Sequence, residues 1–143
     1  MNVKRRYLWS IPLFLIAGAL AAPPMLSARS EPLPAQENKD GTVRVSVTPE
    51  TLSKRADAWR FSVRFNTHVT PISQDMMKVA SLSDGKGAGE PPTAWEGDPP
   101  GGHHRRGVLV FKAIKPMPAT ITLHIREVGE IADRTFTWKL ANP

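Results

Sequence analysis

The stretch 97–106 of this 143-residue chain reads GDPPGGHHRR and collects the side chains best suited to binding a ligand. His103 and His104 are adjacent, and the glycines before them let the backbone turn an imidazole toward a ligand. Histidine is the commonest transition-metal ligand, and imidazole with carboxylate suits Zn(II), Cu(II) or Ni(II). No His-Glu-x-x-His motif, Cys-x-x-Cys motif or histidine pair four residues apart accompanies them, so the local metal signal is weak. Adjacent residues of extended backbone point in opposite directions, so at most one of these two rings faces a shared site.

The same stretch suggests a second chemistry, the binding of an anion or a peptide partner. Gly101 and Gly102 could form a concavity of backbone N–H groups, and Arg105 and Arg106 offer planar forks for carboxylate or phosphate. Trp95 would lie beside them. A third interpretation is that the stretch is a rigid turn whose histidine only caps a sheet edge by hydrogen bonds.

Enzyme chemistry finds no support in the residue patterns. The chain has no cysteine, no serine lies in a Gly-x-Ser-x-Gly turn, and the glycine-rich run 84–89 lacks the strand and helix context of a phosphate-binding loop. A small domain also has little room for a deep pocket beside its core. We therefore expect a protein that works by binding and not by catalysis.

The N-terminal residues indicate the location of the protein. Three basic residues at positions 4–6 precede an uncharged run, and Ala19-Leu20-Ala21 has the small-x-small pattern of a cleavage site. This order predicts a signal peptide over residues 1–21 and a periplasmic or secreted protein. The alternative is an uncleaved anchor, which would be the chain's only membrane contact. Prolines interrupt the apolar run and leave it shorter than the roughly 20 residues that a span needs.

Removal of the signal peptide changes the charge. Three of the 19 basic residues lie in it, so 16 remain against 13 acidic ones, and the charge falls from +6 to +3. No basic stripe remains, so nucleic acid is not an expected partner. Because the exported chain has no cysteine, no disulfide supports the fold.

The mature chain divides into a tether and one domain. Residues 22–40 contain four prolines and few large apolar residues, which is typical of a disordered tether. Residues 41–143 are about 100 residues, the usual size of a single domain.

From Gly41 onward apolar and polar residues alternate, as in half-buried strands. The predicted strands are 43–47, 59–65, 77–82, 93–96, 108–111, 121–125 and 136–140. Only residues 73–76 fit a helical turn, with Ser73 as its cap. Seven short strands without a helix predict an all-β, immunoglobulin-like antiparallel sandwich of two sheets without a disulfide. Trp59, Trp95 and Trp138 fall on strands and are expected in its core.

The strand order groups the candidate ligands. If successive strands are antiparallel, the loops 66–75, 97–107 and 128–133 share one end of the sandwich. The candidate metal ligands at this end are His68, Asp75, His103 and His104. Glu130 and Asp133 are expected in the third loop, whereas His124 lies mid-strand and faces solvent.

The segments FNTH at 65–68, QD at 74–75 and WEGDPPGGHHRRGVLVF at 95–111 resemble a family of small exported bacterial domains of unknown function. Its motif reads W-x-G-x-P-P-G-G-H-H-R-x-G-V-L-x-F. The resemblance covers residues 43–140 and implies an exported β-sandwich, but no ligand or catalytic residue. The chain is more loosely similar to small periplasmic copper-carrying β-sandwiches, which bind copper through histidines near the mature N-terminus and at one sandwich end. This chain departs from that pattern, because its mature N-terminus reads Ala22-Pro23-Pro24.

Two functional hypotheses follow. The first is an exported metal-binding accessory protein, with copper or zinc held by the four candidate ligands. The alternative is an interaction module for a periplasmic protein partner. In that alternative the Gly-Gly-His-His-Arg loop is architectural or binds an anion through Arg105 and Arg106 beside Trp95.

Overall fold

The structure, a computed structural model, describes residues 32–140; the predicted signal peptide (residues 1–21), residues 22–31 of the predicted tether and residues 141–143 lie outside this range. The described residues form eight strands and one short helix. These are β1 (Gln36–Asn38), β2 (Val43–Thr51), β3 (Ala58–Thr67), α1 (Met76–Val79), β4 (Ala80–Ser83), β5 (Ala94–Gly97), β6 (His104–Lys112), β7 (Thr120–Val128) and β8 (Ile131–Lys139). One antiparallel sheet has the order β1-β2-β3-β6-β5 and the other β4-β7-β8, which confirms the predicted all-β sandwich.

Alternating side chains fill the space between the two sheets. Trp59 and Phe61 of β3 are 0% exposed and Phe65 is 1% exposed, so the predicted alternation along this strand is confirmed. The Phe61 ring lies 5.8 Å from Phe111 in its own sheet and 5.7 Å from Trp138 in the other sheet, measured between ring centroids. Burial of such a side chain contributes about 2–3 kcal/mol, and these contacts hold the sheets together.

The strand order also fixes where the loops lie. Apart from β1, the order β2-β3-β6-β5 opposite β4-β7-β8 is that of an immunoglobulin constant-type domain. Connections 68–75, 98–103 and 129–130 lie at one end of the sandwich, which we call the loop end. Connections 52–57, 84–93 and 113–119 lie at the opposite end, which we call the far end.

The ordered domain begins earlier than the predicted boundary at Gly41. Strand β1 pairs with β2, with Gln36 opposite Val47. The Gln36 side chain also reaches β8 in the other sheet: its Nε2 donates to Thr137 O (2.6 Å), and its Oε1 accepts from Thr137 N (3.1 Å). Trp138 Nε1 donates to Pro34 O (2.8 Å). Residues 34–40 thus cover the open side of the sandwich between β2 and β8. They bond to backbone N–H and C=O groups that an edge strand would otherwise leave unpaired.

Arg134 of β8 is 1% exposed and holds this cover in place. Its guanidinium donates to Asp40 O (2.8 Å), to Val128 O (3.0 Å) and to Asn38 Oδ1. Burial lowers the pKa of Arg134 below its ordinary value, and Asp40 acts in the opposite direction. The charged side chain supplies a donor to the buried Val128 O and ties the half-buried Asn38 and the exposed Asp40 to β8. We call Arg134 with its partners the Arg134 clamp.

The third predicted strand, 77–82, is wrong in its first half. Residues 76–79 form α1, and the strand β4 begins at Ala80. Met76 and Ala80 are both buried, and a helical turn brings residues four apart to the same side. The cap is Asp75 and not Ser73, since Asp75 Oδ1 accepts from Met77 N (3.0 Å). Within residues 32–140 no helix has the length and apolar character needed to cross a membrane.

Candidate functional site

The loop 98–103 is anchored along its backbone to the neighbouring loop 68–75. Gly101 N donates to Ile72 O (2.8 Å), and Ile72 N donates to Gly102 O (2.9 Å). Thr67 N donates to His103 O (2.9 Å). Gly101 and Gly102 have φ angles of 111° and 72°, which residues with a side chain rarely adopt. The glycines therefore let the two loops run as one hydrogen-bonded unit.

Arg105 fastens this unit to the sandwich. It is 2% exposed, and its Nε donates to Asp98 O (3.1 Å) while its Nη1 donates to Gln74 O (2.6 Å). Its Cζ lies 5.2 Å from the centroid of the Trp95 ring, within the range of a cation–π contact. Burial lowers the pKa of Arg105, and Asp75 and Asp98 act in the opposite direction. Arg105 is thus a structural residue, which corrects its assignment as an anion ligand.

Trp95 is structural for a related reason. Its Nε1 donates to Asp98 O (2.9 Å), and its ring lies against Gly97 and Gly107, which are paired across β5 and β6. A Cβ on Gly107 would lie 2.6 Å from Trp95 Cζ2, and a Cβ on Gly97 would lie 2.4 Å from Gly107 Cα. The ring fits only because both positions lack a side chain. We call Arg105, Trp95 and their partners Asp98 and Gln74 the Arg105 clamp.

His68 and His104 meet on the surface of the loop end. Their ring centroids are 6.2 Å apart and their planes are inclined by 82°. His104 Nδ1 lies 2.8 Å from Oδ1 of Asn66, the residue directly opposite it in the β3–β6 pair. Because an amide oxygen only accepts hydrogen bonds, this contact requires the His104 tautomer with a proton on Nδ1, and that tautomer leaves Nε2 free to bind a metal.

The other two candidate ligands do not complete this pair. Asp75 caps α1 through Oδ1, and its Oδ2 lies 3.6 Å from Lys78 Nζ. His103 is exposed, and its backbone carbonyl accepts from Thr67. In the described range 32–140, no group of three or more histidine, cysteine, aspartate or glutamate residues could hold a metal ion. The predicted set of four is therefore reduced to the pair His68 and His104.

The loop between β7 and β8 is shorter than predicted. It is a two-residue turn, Gly129-Glu130, with φ angles of 58° and 65°, as hairpin turns require. Asp133 therefore lies on β8, where its Oδ2 is 2.8 Å from His124 Nδ1. This pair lies on the outer face of the three-stranded sheet and not at the loop end.

Of the three candidate anion-binding or partner-binding residues, Trp95, Arg105 and Arg106, only Arg106 is exposed. Its backbone N donates to Asp98 Oδ2 (2.9 Å), and it lies directly opposite Arg64 in the β3–β6 pair. Sequence reasoning missed this arrangement because it began β6 at Val108 and not at His104. Leu109 faces inward, and extending its alternation backward would have turned Arg105 inward and Arg106 outward.

No protein-family model matches this chain, and neither does a characterised protein or a solved structure. The likeness to a family of exported domains therefore stays an expectation. What the chain does has to be inferred from the loop end and from the sheet faces.

Proposed function

We propose that this protein is an exported binding module whose loop end receives a periplasmic protein partner. The observation that carries this proposal is the contrast between backbone and side chains in the loops 68–75 and 98–103. Their backbones are joined by hydrogen bonds and by the Arg105 clamp, whereas many of their side chains face solvent. A surface that is ordered before binding loses less conformational entropy when a partner docks.

The exposed tip supplies an apolar anchor. Val69 is 67% exposed, and no other large hydrophobic residue of the described part of the chain is classed as exposed. Pro71, Pro99 and Pro100 are also exposed and have little side-chain entropy to lose. These exposed apolar side chains and the exposed histidines of the same two loops are groups that a protein partner can cover.

Site-specific crosslinking in cells tests this proposal. We expect a photoreactive amino acid at position 69 to give a discrete crosslinked species with one protein, and the same group at position 55 of the far end to give none. Val69→Asp should abolish crosslinking from position 100 without changing the circular dichroism spectrum. Equal crosslinking from positions 69 and 55 would refute a specific loop end. If the signal peptide is cleaved as predicted, the measured mass of the exported chain should be that of a polypeptide beginning at Ala22.

Metal binding is the second candidate function, and the His68–His104 pair favours it. A metal bonded to two imidazoles at roughly 2 Å would hold the ring centroids about 5–6 Å apart, which a small rotation of either exposed ring provides. The hydrogen bond from His104 to Asn66 resembles the supporting contact that orients most metal-bound histidines. Imidazole ligands suit copper or zinc. Because the protein supplies only two ligands, the remaining coordination positions would be open to water or to a side chain of a partner.

Calorimetric titration with Cu(II) and Zn(II) tests this second function. We expect affinity to fall from about pH 7.5 to about pH 5.5, because a protonated imidazole does not bind metal. His68→Ala and His104→Ala should each abolish binding, whereas His124→Ala, in a pair elsewhere on the surface, should leave it unchanged. Binding that survives both loop-end substitutions would refute the metal site and leave the protein-binding function standing.

A further inference from the structure

The outer face of the five-stranded sheet carries a second candidate site, formed by residues that the loop end does not use. Cross-strand partners line up in rows across this face, because side chains alternate along each strand. One row contains Glu37 on β1, Ser46 on β2, Arg64 on β3 and Arg106 on β6, and Glu37 is paired with Lys39 and Arg44. The next row contains Thr48 and Ser62, and Glu50 lies beyond them at the other end of the face.

The two arginines of the first row differ from Arg60 of the same face. Arg60 lies 2.6 Å from a Glu96 oxygen and 3.5 Å from a Glu50 oxygen. By contrast, no carboxylate oxygen of residues 32–140 lies within 4.0 Å of a guanidinium nitrogen of Arg64 or Arg106; Asp98 Oδ2 accepts only from the Arg106 backbone N. Directly opposed residues have Cβ atoms about 5 Å apart, and like charges in such a pair destabilise the sheet. An anion between the two guanidinium groups would remove that repulsion.

A groove lies beside this arginine pair. It has a volume of about 490 Å³ and is lined by Ser46, Thr48, Glu50, Ser62 and Arg64. The Ser46 hydroxyl donates to Glu37 Oε1 (3.4 Å), whereas the hydroxyls of Thr48 and Ser62 have no hydrogen-bond partner among residues 32–140 and are free to donate and accept. Glu50 lies near Arg60, four residues or roughly 13 Å along β3 from Arg64, so it does not neutralise the arginine pair.

From this arrangement we infer that the outer face of the five-stranded sheet binds an acidic sugar. The carboxylate or phosphate group lies between Arg64 and Arg106, whose planar forks match such oxyanions. The sugar hydroxyls lie along the near part of the groove and bond to Thr48 and Ser62, while the Ser46 hydroxyl, which donates to Glu37 Oε1 (3.4 Å), can still accept. The groove volume falls within the range of small-ligand sites.

Titration of the exported chain, followed by amide chemical shifts, tests this inference. The probes are glucuronate and glucose 6-phosphate, with neutral glucose and inorganic phosphate as comparisons. We expect both acidic sugars to bind with a dissociation constant on the order of 1 mM and to shift amides of residues 46, 48, 62, 64 and 106. Glucose should bind at least about tenfold more weakly, because it lacks the charged group, and inorganic phosphate likewise, because it lacks the hydroxyls.

Substitutions separate the site from general attraction by positive charge. Arg64→Gln/Arg106→Gln should weaken the binding of both sugars about tenfold or more. The control Arg55→Gln/Lys112→Gln removes the same charge from exposed positions outside the groove and should leave binding unchanged. Ser62→Ala should weaken acidic-sugar binding without changing the response to inorganic phosphate. Equal weakening by the control pair, equal affinity for glucose 6-phosphate and phosphate, or no saturable binding would each overturn the inference. None of these outcomes bears on the loop end.

Discussion

Arg105 and Arg134 are both buried between the sheets, yet they fasten different parts of the chain. Arg105 joins β6 to the loops of the loop end, where its acceptors lie 7 and 31 residues away in sequence. Arg134 joins β8 to the N-terminal segment, where its acceptors Asp40 and Asn38 lie 94 and 96 residues away. Both side chains donate mainly to carbonyl and amide oxygens and not to carboxylates.

The two arginines therefore act at different levels: Arg105 orders one local surface, whereas Arg134 helps to close the whole sandwich. The Arg105 clamp orders a surface that already lies at the end of two paired strands. The Arg134 clamp holds a segment that covers an edge strand and touches both sheets. In a chain without cysteine, no disulfide can do either task. The following variants test whether the two clamps act at these two levels.

The largest effect is expected from Arg134→Ala. It removes a donor from the buried Val128 O, at a cost of about 1–3 kcal/mol, and also removes the two contacts to Asn38 and Asp40 and the packing of a buried side chain. The free energy of unfolding should therefore fall by about 4 kcal/mol in total. Chemical denaturation measures this loss. Arg55→Ala, at an exposed turn of the far end, is the control and should change little. A loss below about 1 kcal/mol would mean that the N-terminal segment does not depend on Arg134.

A smaller and more local effect is expected from Arg105→Ala. The free energy of unfolding should fall by about 2–3 kcal/mol, since Gln74 O loses its donor while Asp98 O keeps Trp95 Nε1. Hydrogen exchange should quicken at the amides of Ile72 and Gly101 and stay slow along β8. Equal quickening in β8 would show that the two clamps are not separable.

Gly107→Ala should damage the Arg105 clamp without touching its polar groups. The added Cβ would meet the Trp95 ring at 2.6 Å, and such overpacking costs about 1–3 kcal/mol. Tryptophan fluorescence should report the displaced ring. Gly87→Ala is the matched control, because a Cβ at Gly87 meets no atom within 4 Å. An unchanged spectrum for Gly107→Ala would mean that the glycine is not needed for Trp95.

Trp138→Phe should weaken the N-terminal cover without removing Arg134. It deletes the hydrogen bond to Pro34 O and keeps most of the buried ring, so we expect a loss of about 1 kcal/mol. Limited trypsin digestion should cut faster at Lys39. Trp59→Phe deletes a similar bond to Ser53 O at the far end and should leave cleavage at Lys39 unchanged. If both variants accelerate this cleavage equally, the cover is not held by Trp138.

The smallest effect is expected at an exposed ion pair that belongs to neither clamp. The hydrogen bonds from Arg60 lower the pKa of Glu96 below its ordinary value of 4.5. A carboxyl group whose pKa is lowered in the folded protein stabilises the fold at pH values above its ordinary pKa. This stabilisation is lost as the pH falls through the lowered pKa of the folded protein. Glu96→Gln should therefore reduce the melting temperature slightly at neutral pH, and this reduction should disappear as the pH is lowered through the pKa of Glu96. A reduction that is the same at neutral pH and at the acid end of the series would contradict the ion-pair explanation.

Much of the fold could be predicted from the alternation of apolar residues. The strand containing Trp59, Phe61 and Phe65 has a period of two, and the structure buries all three side chains. Residues 76–79 could not be predicted in the same way, because a four-residue helix is too short to show a period. The predicted tether failed at residues 36–40 for another reason: this segment is held by polar contacts that hydrophobicity does not reveal.

The candidate site was predicted less completely than the fold. Loop order placed His68 near His104, and the ring distance of 6.2 Å agrees with that expectation. The role of Asp75 as a helix cap depended on where α1 begins, and the helical turn predicted at 73–76 lay three residues too early. Arg105 was misassigned because its direction follows from where β6 begins, and the glycines and histidines before it hide that point.

The amino-acid sequence alone determined the number and approximate positions of the main strands, since burial of one sheet face imposes a period of two on the residues themselves. It also determined which residues offer chemistry at the loop end. Only the tertiary structure decided that Arg105 and Arg134 are buried and bond to backbone oxygens, while Arg64 and Arg106 lie opposite each other on the surface. That distinction depends on strand register and on hydrogen-bond partners up to 96 residues away in sequence. The arginine side chain itself is the same in both places, so its identity does not reveal its role.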